Sequence, residues 1–452
     1  MVVQKFGGTS VADPAAVRRL IDIARAARTR DGAGPVLVVS ALSGVTVALL
    51  NVAAEAGAGR VEPALSHVEE LRERHLAMAR DLAGAGQAPD LAALITAEFD
   101  QLAAVVKALG VLREVSPATL DVIAAAGELL SSRIVAGALV AAGLPGEWVD
   151  ARRVVITNGL QTRAVPLMAE TTAALGALVA PLVDAGRMPV LGGFVGATIE
   201  GRTTTLGRGG SDYSAAIVGA GLGAAEIQIW TDVDGMLTAD PRIVPQARLV
   251  PRLSFAEAAE LAYFGAKVLH PSTIHPAVER NIPVRILNSR KPEGSGTLIT
   301  AESTRGAGSL TAMAAKRDLT VVDVTSSRML MAYGFLRQVF EVFERFQTAV
   351  DVVTTSEVSV SVTVDDRRHL DAIVEALSAF AEVAVEPEMA LLCAVGDRLR
   401  GDPAIAPRVV GVLEEVPLRM ISQAASRRNI TVIMRQADLP HAMHRLHEEF
   451  FE

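Results

Sequence analysis

The chain has 452 residues, half of them hydrophobic but only 4% aromatic, and a net charge of −8. That length predicts about three domains around large Ala-, Val- and Leu-rich cores and excludes a mainly disordered chain. The acidic balance, with no basic run interleaved with aromatics, argues against nucleic acid as a partner, and the single cysteine, Cys393, excludes an intramolecular disulfide framework and a cysteine-based metal site.

At the N-terminus the apolar pair Val2-Val3 runs into KFGGTS, Lys5 to Ser10. Gly7 and Gly8 let the backbone approach phosphate oxygens and aim N–H groups at them, Thr9 and Ser10 add hydroxyls, and Lys5 adds a positive charge. From Val11 the spacing is helical, which predicts that the turn sits at a helix N-terminus, where the macrodipole favours anions. On its own the motif is equally an ordinary loop between a strand and a helix. Lys5 comes early and the following apolar stretch is broken by Gly and Asp, so no signal peptide is expected, and no uncharged run reaches the ~18 residues of a membrane span. A soluble cytoplasmic protein is the expectation.

PVLVVS (35–40) reads as a strand leading to a strand-to-helix turn in which Ser40 and Thr46 can donate to a carboxylate. Residues 61–112 read as helix throughout, a helical insertion or lid rather than part of a sheet. Glu128 follows in an otherwise apolar helix. It either complements the helix dipole or serves as a ligand for a cationic amino group. After a strand at 189–195 comes TTTLGRGGSD (203–212), a second glycine-rich turn at a helix start. Gly209, Gly210 and Ser211 supply donors there, and two such turns would grip a transferring phosphoryl group from both sides. Ser211 and Asp212 are alternatively plain N-caps. The strand 226–231 ends in Thr231, and Asp232 and Asp234 at its carboxyl edge suit a nucleotide ribose or a Mg²⁺ shell. Asp234 is alternatively a turn residue. Lys267 in FGAKVLHP is a candidate phosphate contact or a snorkelling surface lysine. With a further strand at 283–288, this alternation of strands and helices is an α/β signature.

A Gly-, Ser-, Thr- and Pro-rich stretch over 291–308 predicts a domain boundary, giving a domain 1–295 and a linker 296–308. Beyond it, strand 318–325, helix 335–346, strands 349–354 and 359–364, helix 366–380 and strand 382–385 make one βαββαβ unit. Strand 390–395, helix 404–413, strands 418–423 and 431–435 and helix 439–450 make a second unit that lacks one strand. The spare strand 310–315 can supply it. Two ferredoxin-like units are predicted, the first (318–388) inserted into the second (309–316 with 389–452). Cys393 lies in an apolar run and reads as a buried structural thiol. The histidines, His441 and His444 included, show no ligand spacing.

KFGGTSV, VVSALSG, the Gly127-Glu128 pair, GRTTTLGRGGSD, WTDVDG, TADPR and FGAKVLHP resemble, in order and spacing, the aspartokinases of the amino acid kinase superfamily. RMLMAYGFLRQVFEVF and VDVVTTSEVSVSVTV look like that family's paired ACT domains, most similar to its monofunctional, lysine-inhibited class. The resemblance covers essentially the whole chain. It implies an amino acid kinase fold, an open and mainly parallel sheet between helices, followed by two ACT domains. The implied reaction converts ATP and L-aspartate to ADP and 4-phospho-L-aspartate, the first step toward lysine, threonine and methionine. Carried over by motif, Lys5 would stabilise the transferring phosphoryl group with Gly7, Gly8, Thr9, Ser10, Gly209, Gly210 and Ser211 around it, and Asp212 would hold Lys5. Arg208 would clamp the substrate α-carboxylate, and Glu128 would bind its α-ammonium beside Ser40 and Thr46. Thr231, Asp232, Asp234, Arg242 and Lys267 would contact ATP, whose phosphates carry the Mg²⁺, with no protein ligand assigned to the metal. Met329, Gly334, Phe335, Leu336, Val350, Asp351, Thr354, Thr355 and Glu357 would form an effector site for lysine or threonine, between ACT domains of a homodimer or a tetramer. A kinase for another amino-acid carboxylate and a silent ACT sensor are the competing readings.

Overall fold

A computed structural model describes residues 1–84, 88–266, 269, 271–302, 309–326, 333–423 and 426–452. The chain divides into two compact units, Met1–Met236 with Val268–Glu302, and Leu237–Lys267 with Ser303–Glu452.

In the first unit the strand Val2–Phe6 pairs in parallel with Val36–Val39 on one side and Glu226–Thr231 on the other. Met188–Gly192 and then Gly146–Val149 extend the first side, and Val284–Asn288 the second, all parallel, before Thr297–Thr300 turns back antiparallel. The chain leaves the first strand for one side of the sheet and later continues on the other. This creates a topological switch point, and the crevice at such a point lies at the carboxyl ends of the strands. Residues alternate between faces. Phe6, Leu37, Val39, Val190, Trp230 and Leu287 share a core with Val17, Leu20 and Ala24 of the helix Pro14–Asp31 and with Ile134 and Leu139 of the helix Pro117–Ala141. Lys5 faces the other side, toward the helix Gly210–Leu222.

Two sequence expectations need correction here. The first helix does not begin at Val11. A 3₁₀ turn over Gly8–Val11 comes first, and the α-helix starts at Pro14 because Asp13 caps it, its Oδ1 accepting from the Ala16 amide at 2.8 Å. The 61–112 segment is not a lid. Its helices Val61–Leu82 and Ala88–Leu112 place Val68, Leu71, Met78, Ile95, Phe99 and Val106 in the same core as the sheet. An apolar stripe sustained that long is driven into the core. The helix Pro117–Ala141 is long and apolar enough to cross a membrane by composition alone, yet most of it is buried inside the unit.

In the second unit the sheet order is Val353–Thr355, Ser359–Val364, Leu310–Thr325, Glu382–Gly396, Asn429–Arg435, Met420–Ser422, with the neighbours antiparallel. Both expected βαββαβ patterns are present, and the first is inserted in the second. They share one sheet because the short strands expected at 310–315 and 318–325 are a single strand, as are those at 382–385 and 390–395. Register shifts between Lys316 and Leu319 and left-handed Asp318 and Glu388 mark where one unit passes into the next. One face of the second unit's half carries Ala390, Leu392, Ala394, Val432 and Met434 against Val409, Met443 and Leu446. Cys393 points to the opposite face, fully buried, where burial pushes its thiol pKa up. That face meets the helix Phe255–Tyr263, whose Glu257 accepts from Thr311 Oγ1 at 2.6 Å and whose Glu260 accepts from Asn429 at 2.7 Å. Residues 237–267, inside the segment expected to be one domain, therefore pack with the C-terminal unit.

Helix 366–380 is observed as Leu370–Ser378, because Asp366 folds its carboxylate back onto the Arg368 amide and guanidinium. The strand expected at 349–354 is Val353–Thr355.

Candidate active site

The carboxyl ends of the parallel strands are knitted together by short backbone bonds. Gly7 N donates to Trp230 O at 3.1 Å, Ser40 N to Phe6 O at 3.0 Å, Gly193 N to Val39 O at 2.8 Å and Ser289 N to Thr231 O at 2.8 Å. Gly7, Gly8, Ser40, Thr231 and Asp232 lie on or just past this edge, whereas Thr46 and Glu128 are carried by helices and Arg208 follows the strand Thr203–Thr205 of a separate two-stranded sheet. At the centre of the edge Lys5 Nζ lies 2.7 Å from Asp212 Oδ1, both side chains largely buried. Asp212 is in the first turn of the helix Gly210–Leu222, where the macrodipole favours a carboxylate. A Cβ on Gly7 would lie 3.5 Å from Lys5 Nζ, and one on Gly8 would lie 3.2 Å from Ala41 O. The glycines keep the space beside the ammonium open.

In the second glycine turn Gly209, at φ +71°, is the N-cap of the helix, and the Gly210 amide closes the turn by donating to Gly207 O at 3.0 Å, which leaves Ser211 at the helix start next to Asp212. The turn is wedged against the end of the strand Met188–Gly192. A Cβ on Gly193 would come within 2.7 Å of Ser211 Cβ, and the next residue, Phe194, is left-handed at φ +65° with its amide donating to Ser214 Oγ at 2.8 Å. Arg208 is exposed and forms no ion pair among the described residues.

Glu128 is the unusual charge. It is buried in the middle of the helix Pro117–Ala141, with Gly127 against Ala41 and Gly192 against its own backbone. Its Oε2 has no hydrogen-bond partner among the described residues. Burial pushes its pKa up to about 8, opposed by the Ala41 amide and the charge of Lys5. A buried acid with an orphaned oxygen is matched to a group that arrives with donors and positive charge. Ser40 is half-buried and its carbonyl accepts from Ser131 Oγ at 2.8 Å, and Thr46 is half-buried in the first turn of the helix Val45–Gly57.

Several expected nucleotide contacts sit differently. Ser10 is buried, and its hydroxyl pairs with Ser289 Oγ at 2.7 Å, so it anchors the turn to the strand Val284–Asn288 instead of facing a ligand. Thr9 is half-buried, Thr231 hydrogen-bonds Asp232 at 3.3 Å, and Asp232 is exposed. Asp234 accepts from Asn288 at 2.6 Å and lies 3.2 Å from Lys291, which hold its carboxyl below the usual range. Arg242 belongs to the other unit and is forked onto Asp240 at 2.7 and 3.0 Å. Lys267 lies outside the described residues. No cluster of three metal-binding side chains occurs among the described residues.

Of the effector candidates, Met329 lies outside the described residues. Gly334 is the left-handed N-cap (φ +85°) of the helix Phe335–Arg345. Phe335 is buried edge-on against Phe380 and so is a core residue, whereas Leu336 is exposed. Val350 and Thr354 are half-buried, and Thr355 and Glu357 are exposed. Asp351 is not free. Lys316 Nζ lies 2.7 Å from its Oδ2 and 2.7 Å from Asp365 Oδ2. Sequence reasoning missed Lys316, Ser289 and Asp121, which act through contacts far apart in the chain.

A model of the amino acid kinase family matches residues 1–288, and a model of the ACT domain matches residues 392–450. The chain is 36% identical over its whole length to the lysine-sensitive aspartokinase 3 of Escherichia coli (strain K12), covering 99% of that protein. It is 37% identical, again over its whole length, to the chloroplastic aspartokinase 3 of Arabidopsis thaliana, covering 81% of it. Among solved structures it is similar to E. coli aspartokinase III in complex with lysine and aspartate (T-state), with a TM-score of 0.85, and to the same enzyme in complex with aspartate and ADP (R-state), with a TM-score of 0.83. Both comparisons are at 35% identity and cover all of both chains.

Two outcomes follow from the geometry. A raised folded pKa at Glu128 means that the folded state binds more protons than the unfolded one between pH 4.5 and about 8, so this group lowers stability as pH rises through that window. Glu128→Gln is expected to melt higher than the wild type at pH 8, by at least ~3 °C, with the gap closing toward pH 5. Equal melting temperatures at pH 8 would show that Glu128 is not buried as described. Gly193→Ala forces a methyl into Ser211 and is expected to cut turnover at least ~10-fold while circular dichroism stays native.

Proposed function

The chain belongs to the aspartokinases of the amino acid kinase family, and on that premise we propose how its residues divide the work of phosphorylating L-aspartate with ATP under allosteric control by an amino acid. The side-chain carboxylate of aspartate is ionised near neutrality and needs no general base. The obstacle is repulsion between that carboxylate and the triphosphate, so the site must supply positive charge and fixed donors. The observation that carries the reading is the Lys5–Asp212 pair set between two glycine turns at one sheet edge. Lys5 meets the transferring phosphoryl group, the amides of Gly8, Gly209 and Ser211 donate to its oxygens while Gly7 and Gly210 hold the turns in shape, and Asp212 keeps the ammonium in place. Mg²⁺, carried by the nucleotide phosphates, supplies bridging charge when bound.

Arg208 grips the α-carboxylate of aspartate, as its free, exposed guanidinium at the second turn permits. Glu128 receives the α-ammonium. The orphaned Oε2 supports this role, and a substrate without that ammonium, such as an N-acylated amino acid, would leave it unpaired. Asp232 and Thr231 line the nucleotide side. A cytoplasmic enzyme, supplied with ATP and free aspartate, is the corresponding placement.

Lysine is the proposed effector, in keeping with the lysine held in the E. coli T-state structure. Its ammonium is directed to Asp351, where it has to displace Lys316. A homodimer through the ACT units is proposed with it. The outermost strand Val353–Thr355, with Val353 and Val358 exposed beside it, offers a sheet edge to a second copy.

Incubated with ATP, Mg²⁺ and aspartate, the purified protein is expected to form an acyl phosphate that hydroxylamine traps as the hydroxamate, and absence of hydroxamate above background overturns the reading. Lys5→Ala is expected to lose at least about 10²–10³-fold in kcat while still binding lysine. Because Glu128 must shed its proton to receive an ammonium, KM for aspartate is expected to fall as pH rises from 6 to 8, by up to about tenfold per unit. Lys316→Met is expected to lower the lysine concentration for half-inhibition severalfold, and an unchanged or higher value would remove Lys316 from the effector site.

A further inference from the structure

Asp121 lies one turn inside the helix Pro117–Ala141, seven residues before Glu128, so the two carboxylates sit about two turns apart on one side of the helix. Like Glu128 it is almost fully buried, and no cation pairs with it among the described residues. Its oxygens are spent on the segments that carry the second glycine turn. Both accept from the Thr162 amide at 3.0 Å, and Oδ1 accepts from Thr205 Oγ1 at 2.5 Å. Thr205 is the last residue of the strand Thr203–Thr205, three positions before Arg208.

The rest of the loop is held in the same way. Thr162 is left-handed at φ +64°, a conformation a β-branched residue adopts only when its surroundings impose it. Its carbonyl lies under Gly207, close enough that a Cβ there would sit 3.2 Å away. The Ala164 amide donates to Thr205 O at 2.9 Å, and Thr157 Oγ1 pairs with Thr204 Oγ1 at 2.7 Å. The platform under Gly207 and Arg208 is thus tied to the helix through one carboxylate.

We propose that Asp121 is a positioning residue for substrate recognition, which fixes the Arg208 turn at a set distance from Glu128 by anchoring both ends of the amino-acid clamp to one helix. The inference rests on Arg208 and Glu128 receiving the α-carboxylate and α-ammonium of aspartate. A rigid helix between the two anchors sets the spacing of the α-substituents, which a loop-to-loop arrangement would leave variable. A carboxylate is needed because two donors converge on it, the Thr162 N–H shared between both oxygens and the Thr205 hydroxyl on Oδ1. An asparagine would turn an NH₂ toward either the Thr162 N–H or the Thr205 hydroxyl.

The test is a double-mutant cycle with steady-state kinetics on the full chain, using Asp121→Asn, Arg208→Ala and the double variant, with melting temperature read in parallel. Arg208→Ala is expected to raise KM for aspartate at least about tenfold. Asp121→Asn is expected to raise it about fivefold or more, with KM for ATP unchanged. In the Arg208→Ala background the same change is expected to add less than about twofold. Equal effects in both backgrounds, or a parallel rise in KM for ATP, would make Asp121 a general structural residue and overturn the proposal. An unaltered KM in Arg208→Ala would instead overturn the role of Arg208 itself. If Asp121→Asn does not fold, Thr205→Val removes the shortest of the hydrogen bonds while keeping the carboxylate, and the same selective, non-additive rise is required of it.

Discussion

The active-site edge is organised around a single ammonium group. Lys5 projects from the central strand toward the carboxylates of Asp212 and Glu128, and its pairing with Asp212 fixes it at the start of the helix Gly210–Leu222. A partly buried pair of this kind contributes little net stability, since desolvation offsets most of the attraction. Its value is positional, because the pair joins strand to helix at the point where both glycine turns present their amides. The raised pKa of Glu128, driven by burial, belongs to the same balance. Were it ionised with no ammonium beside it, it would compete with Asp212 for Lys5.

The regulatory unit meets a different constraint, that of putting two four-stranded patterns into one sheet. Both long strands pass through the seam between Lys316 and Leu319, where the register shifts and Asp318 turns left-handed. Lys316 stands at that seam and is shared by Asp351 and Asp365. A group that loosens it acts on the strand that both halves have in common. The neighbouring Ala315 carbonyl lies so close to Gly265 that a Cβ there would be 2.3 Å away, so the strand leaves no slack against the loop after the helix Phe255–Tyr263.

Features that depend on neighbouring residues were legible in the sequence. The glycine turns, the acid within an apolar helix, the insertion of one βαββαβ unit in the other and the buried cysteine all follow from local pattern and element count. What escaped depends on pairing across long separations or on competition between close neighbours. Nothing near Ser10 shows that Ser289 will claim its hydroxyl, and nothing near Asp121 points to Thr205. The charged run Lys316-Arg317-Asp318 reads as a break between strands, yet a bulge carries the strand through it. Asp234 and Arg242 look available for a nucleotide, but Asn288 with Lys291 and Asp240 respectively lie at hand to occupy them. The helix start was misplaced because Asp13-Pro14, a strong cap and first-turn pair, outweighs the apolar spacing that begins at Val11.

The shared sheet also sets an order of assembly. Leu310–Lys316 pairs with Leu391–Gly396, so the outer half of the regulatory unit cannot close until the whole inserted half has been made. Closing a loop of that length is entropically slow, whereas the inserted half draws mainly on partners nearby in the chain. During synthesis its strands can pair while Leu310–Lys316 still waits with an open edge, an interval in which that apolar segment is exposed to other chains. The arrangement that couples the two halves in the finished enzyme is therefore the step at which a nascent chain is most open to misassembly.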